Sequence, residues 1–108
     1  MTDDATLGGY FRVHTRPPAF EGSDGAAYSV ALYVDEEPGP DGRYGGALLF
    51  VRWSAGGDQP EGHFETDHLA HAGSAAEVEL QLHALTLHQV KEELDRSIQR
   101  AGERPTWE

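Results

Sequence analysis

At 108 residues the chain has the size of one ordinary domain with one modest hydrophobic core. Its net charge of −11, from 8 Lys and Arg against 19 Asp and Glu, works against neutralising nucleic-acid phosphates or binding anionic lipid headgroups, and favours basic proteins and cations as charged partners. With no cysteine there are no disulfides, thiolate metal sites or cysteine nucleophiles, and no apolar run reaches the ~20 residues of a membrane-spanning helix.

Residues 1–7 are polar and acidic and are expected to form a frayed terminus. The start Met1-Thr2-Asp3-Asp4 lacks the basic and apolar segments of a signal peptide, so a cytoplasmic location is expected. One α+β domain is predicted over residues 8–102, followed by a polar tail, 103–108. In Tyr10 to Thr15, apolar Phe11 and Val13 alternate with Tyr10, Arg12 and His14, which predicts a half-buried first strand. Pro17 and Pro18 end it, because neither can donate to a ladder. A second strand is expected from Ala26 to Asp35, with Tyr28, Val30, Leu32 and Val34 on one face. Asp41-Gly42 marks the tip of a long hairpin. The third strand, Gly46 to Trp53, is apolar on both faces and reads as a central strand. A fourth, His63 to Leu69, carries charge on one face, as an edge strand does.

Ser74-Ala75-Ala76-Glu77 has the form of a capping box and opens a single long helix expected to run to Ala101, with Gly102 as its stop. At about 100° per residue, Ala76, Leu80, His83, Leu87, Val90, Leu94, Ile98 and Ala101 form one seam. The expected fold is therefore α+β, a four-stranded antiparallel meander with one long C-terminal helix packed on one face. Val78, Leu82 and Leu85 fall on the far side of that helix, and one sheet face is left uncovered. Both features predict a homodimer or higher oligomer, because a small monomer leaves little contiguous apolar surface wet. Val78, Leu82 and Leu85 are the expected interface, Leu82→Glu is expected to dissociate it, and Trp107 in the tail is a further candidate contact.

Histidine is the other concentration of chemistry. His63, His68, His71, His83 and His88 fall close together in sequence, with Glu65 and Asp67 among them. His63, Glu65, His68 and His71 are candidate metal ligands, since a cysteine-free site for zinc or iron must use such groups. Successive same-face residues on a strand stand ~6.6 to 7 Å apart, so a regular strand brings only neighbouring pairs to one ion. His63-x-Glu65 matches the opening of the zinc-deaminase signature, but that signature also needs two cysteines. His83, His63 and Glu65 are the candidate catalytic residues of a pocket between sheet and helix. No phosphate loop, dinucleotide fingerprint or nucleophile elbow occurs, and no cofactor is expected. The leading expectation is a non-enzymatic interaction module that self-associates, and the alternative is a small-molecule or metal-dependent enzyme.

Overall fold

The computed structural model describes residues 6–13 and 19–103. The chain runs α1 (Leu7–Val13), β1 (Ala19–Glu21), β2 (Ala27–Val34), β3 (Tyr44–Trp53), β4 (Pro60–Glu65), β5 (Ala70–Ala72), α2 (Ala75–His83) and α3 (Leu87–Glu103). It is an α+β fold whose antiparallel sheet follows the order β1-β2-β3-β4, with β5 also paired to β3. Gly42, at the predicted hairpin tip, has φ +78°, a conformation that glycine adopts without steric cost.

Three expectations are corrected. Tyr10 to Val13, predicted to open the first strand, belong to the helix α1, and the meander's first strand is β1, while His14 and Thr15 of that prediction lie outside the described residues. The alternation of Phe11 and Val13 is too short to separate a strand from a helix. A capping interaction decides it: Thr6 Oγ1 accepts from the Gly9 N–H at 3.0 Å, which satisfies an otherwise orphaned donor of the first turn. Leu7, expected in a frayed terminus, is fully buried in the core, and its N–H donates to the Leu85 carbonyl at 2.8 Å.

The fourth strand is also split. It begins earlier than predicted, at Pro60, and stops at Glu65. The chain then resumes along the same side of β3 as β5, with Ala70 opposite Gly46 and Ala72 opposite Tyr44. Between them Thr66 Oγ1 accepts the Leu48 N–H at 3.0 Å, so a side chain replaces a backbone carbonyl in the ladder.

The third correction concerns the long helix. It is two helices, broken between His83 and Leu87. Ser74 caps α2 as predicted, accepting from the Glu77 N–H at 3.2 Å. A second capping box, Thr86-Leu87-His88-Gln89, then restarts the chain as α3. Gln89 N–H donates to Thr86 Oγ1 at 3.0 Å and Thr86 N–H to Gln89 Oε1 at 2.8 Å. Leu85 and Val90 hold the positions of a hydrophobic staple around that cap.

The break re-aims the apolar stripes. In α2, Val78 and Leu82 are 0% exposed whereas Leu80 is 69% exposed. In α3, Val90 and Leu94 are fully buried, with Leu87 and Ile98 packed beside them. The predicted seam therefore holds only for α3. The two stripes belong to two helices, and both face the same core of Tyr28, Val30, Leu48 and Phe50. Gly46 sets the contact of α2 with β3: a Cβ on it would lie 2.4 Å from Val78 Cγ1 and 2.9 Å from Leu82 Cδ1. Over the other end of the sheet, Asp95 Oδ1 on α3 accepts the Ser23 N–H of the β1–β2 turn at 3.0 Å.

Candidate functional site

Since side chains alternate across a strand, the core contacts of Tyr28, Val30, Leu48 and Phe50 leave the other set on the open face of the sheet. On the two central strands that set is Ala27, Ser29, Ala31 and Tyr33 from β2, facing Trp53, Val51, Leu49 and the buried Ala47 from β3. None of the eight is charged, in a chain that is 25% charged. Each of the four cross-strand pairs joins a bulky side chain to a small one: Trp53 to Ala27, Val51 to Ser29, Leu49 to Ala31 and Tyr33 to Ala47. Three of the bulky partners stand on β3, so this face is a ridge along β3 beside a groove along β2. Trp53 is fixed by its indole N–H, which donates to Ser29 Oγ at 3.0 Å. Tyr33 is 44% exposed, and Leu49, Val51 and Trp53 are half-buried.

The predicted interface residues are not here. Val78 and Leu82 lie inside the core, so they offer no surface to a partner and Leu82→Glu would break the fold rather than an oligomer. Leu85 is half-buried against that core, and Trp107 lies outside the described residues.

The metal candidates separate into two pairs. His63 and Glu65 lie on β4, opposite Val51 and Leu49. His68 and His71 lie beyond it, their rings edge to face with centroids 5.4 Å apart. The residue that joins this second pair is Asp35, at the base of the β2–β3 hairpin, with its Oδ1 3.5 Å from His68 Nε2. Asp35 Oδ2 also accepts the Gly45 N–H at 3.1 Å. Gly45 makes room for this arrangement, because a Cβ there would lie 2.8 Å from His68 Cδ2. The His71 carbonyl accepts from Arg43 Nη2 at 3.0 Å and Gln81 Nε2 at 3.3 Å. Among the described residues no three His, Asp or Glu side chains are grouped to hold a metal ion.

The catalytic candidates are not assembled either. His83 packs its ring edge-on against Phe11, with centroids 5.8 Å apart, and a Cβ on Gly8 would lie 2.7 Å from His83 Cβ. It is thus engaged with α1. His63 and Glu65 instead line a cleft of about 270 Å³ between β4 and α3, together with Phe64, Ser97, Arg100 and Ala101. Two of these polar residues were not predicted as site residues. Ser97 is 6% exposed, and its hydroxyl has no hydrogen-bond partner among the described residues. Arg100 meets Asp67 Oδ2 at 3.4 Å. Ser97 was legible only as a polar residue between the core positions Leu94 and Ile98, and Arg100 as a cation suited to a helix C-terminus.

A further ionisable pair lies elsewhere and is structural. Tyr28 OH donates to Asp24 Oδ2 at 2.7 Å, while Asp24 Oδ1 accepts the Ala26 N–H at 3.0 Å. Burial first, then the bond to Asp24 and its negative charge, pushes the Tyr28 hydroxyl up to about 12. Burial works to raise the Asp24 carboxyl as well, but hydrogen bonds from Tyr28 and Ala26 and the charge of Arg52 outweigh it and hold Asp24 below its ordinary range.

No family model, no curated protein and no solved structure matches this chain. No helix among the described residues is long and apolar enough to cross a membrane.

Proposed function

We propose that the protein is an interaction module that self-associates, two copies stacking the open faces of their sheets about a two-fold axis. The observation that carries this is the pairing of one bulky with one small residue at each position of the charge-free β2–β3 face. A two-fold rotation lays the β3 ridge of one copy over the β2 groove of the other, and such interdigitation is how stacked sheets pack ~10 Å apart. β2 and β3, 8 and 10 residues long, present roughly 10 by 27 Å at ~4.8 Å per strand, about 260 Å² per copy, so the shorter rows of β1 and β4 beside them must join the contact for it to approach the ~1,000 Å² of a specific interface. The chain's negative charge works against association, and its absence from the centre of this face leaves the repulsion at the rim.

The test is light scattering at micromolar concentration on the wild-type chain and on Val51→Glu, whose side chain lies on the open face. The wild type is expected at about twice the chain mass of 11.8 kDa. Val51→Glu is expected at 11.8 kDa with an unchanged circular dichroism spectrum, because a buried unpaired carboxylate opposes the interface and not the monomer. A monomeric wild type, or a Val51→Glu variant with the wild-type mass, would overturn the reading. Leu82→Glu serves as the contrast and is expected to unfold the chain.

A further inference from the structure

The cleft between β4 and α3 has the parts of a strand-binding site, and the ladder of hydrogen bonds shows why. Thr66 N–H donates to the Leu48 carbonyl at 3.0 Å, so Thr66, Phe64 and Gly62, at alternate positions, direct their backbone groups toward β3. His63 and Glu65, opposite Val51 and Leu49, therefore direct their N–H and C=O groups the other way. Among the described residues β4 ends the strand order, and these groups face its outer edge, where His63 and Glu65 line the cleft. A main chain added at a free edge pairs with such alternate residues. The opposite wall supplies two further groups: the buried Ser97 hydroxyl, without a partner among the described residues, and the Arg100 guanidinium.

We propose that this cleft binds an extended peptide strand ending in a free carboxylate, its backbone paired with His63 and Glu65, its carboxylate held by Arg100, and the Ser97 hydroxyl donating to it. A guanidinium fork fits a carboxylate with two parallel hydrogen bonds, whereas its present contact with Asp67 is long at 3.4 Å and Asp67 is 88% exposed, so the ligand displaces little. Arg100 reaches Asp67, beyond the C-terminal end of β4, so the carboxylate lies at that end and the ligand strand runs parallel to β4. Glu65 and Asp67 flank the edge, and together with the net charge of −11 they select a peptide whose preceding residues are basic.

The probe is the N-acetylated tetrapeptide Lys-Val-Lys-Val with a free C-terminal carboxylate, titrated into the isotope-labelled full chain and followed by backbone amide resonances. The expected result is saturable shifts of the His63, Glu65, Ser97 and Arg100 amides and slowed exchange of the His63 and Glu65 amides. The C-terminally amidated peptide and the variant Arg100→Gln should each bind about tenfold more weakly, and Ser97→Ala should weaken binding with an otherwise unchanged spectrum. The proposal is overturned if the acid and amide peptides bind alike, if the shifts map away from β4 and α3, or if no shift appears up to roughly millimolar peptide. These amide shifts are read independently of the mass of the particle, so the result does not depend on the sheet-face dimer.

Discussion

Thr86 and Gln89 cap each other: the Gln89 N–H donates to Thr86 Oγ1 at 3.0 Å, and the Thr86 N–H donates to Gln89 Oε1 at 2.8 Å. This exchange ends the run from Ser74 and starts α3 as a separate helix. Thr86 also bridges Thr6 in an isolated antiparallel contact, so the same residue anchors the N-terminal helix. Replacing Thr86 by alanine removes an acceptor for an orphaned donor. The expected cost is ~1 kcal/mol, within the ~0.5 to 2 kcal/mol range of such caps, measured as a lower urea midpoint with an unchanged m-value.

The close approach of Gly46 to Val78 and Leu82 makes a second prediction. Gly46→Ala puts a methyl group where Val78 Cγ1 would be 2.4 Å away, and overpacking of this kind costs about 1 to 3 kcal/mol. Adding Val78→Ala vacates that space. The double variant should therefore lose less stability than the sum of the two single variants, and additive losses in a thermodynamic cycle would contradict the contact.

The Tyr28–Asp24 pair makes stability depend on pH at both extremes. Asp24 is depressed below its ordinary value of 3.8. Its contribution is therefore present above that value and lost as pH falls through the folded value. Tyr28 is raised from 10.0 to about 12, so its contribution is complete below 10 and lost as pH rises through the folded value. Tyr28→Phe should lower stability at neutral pH by ~1.5 to 3 kcal/mol, the worth of a hydrogen bond to a charged group. It should also abolish the tyrosine-linked fall in unfolding free energy above pH 10, as read by denaturation at several pH values.

Much of the sheet was legible in the residues alone. The strand from Ala27 to Val34 places Tyr28, Val30, Leu32 and Val34 on one face over a full eight residues, Asp41-Gly42 supplies the turn chemistry, and the two-sided apolar run Ala47 to Val51 has the composition of a central strand. Local stereochemistry governs these features, so local pattern reports them. The helical half was less legible. A pattern of apolar residues every three or four positions continues smoothly from Ala76 to Ala101 only if no turn intervenes. The signal for the break, Thr86-x-x-Gln89 with Leu85 and Val90 around it, was present but was absorbed into the longer periodicity. α1 was misread because Phe11 and Val13 alternate over too few residues to distinguish a period of two from one of 3.6.

The candidate site divides in the same way. Composition and alternation by themselves determined an acidic α+β chain with a hairpin, an apolar central strand and a face left over. Which face was left over depended on the tertiary structure, because Leu48 and Phe50 or Leu49 and Val51 serve a core equally well by hydropathy. The contact that decides it is long-range: Gly46, lacking a side chain, admits Val78 and Leu82 of α2 to one side of β3. That commits Leu48 and Phe50 to the core and leaves Leu49, Val51 and Trp53 on the open face. The same packing brings Ser97 and Arg100 of α3 beside His63 and Glu65 of β4, a juxtaposition no local pattern encodes, because it joins residues more than thirty positions apart across the break at Thr86.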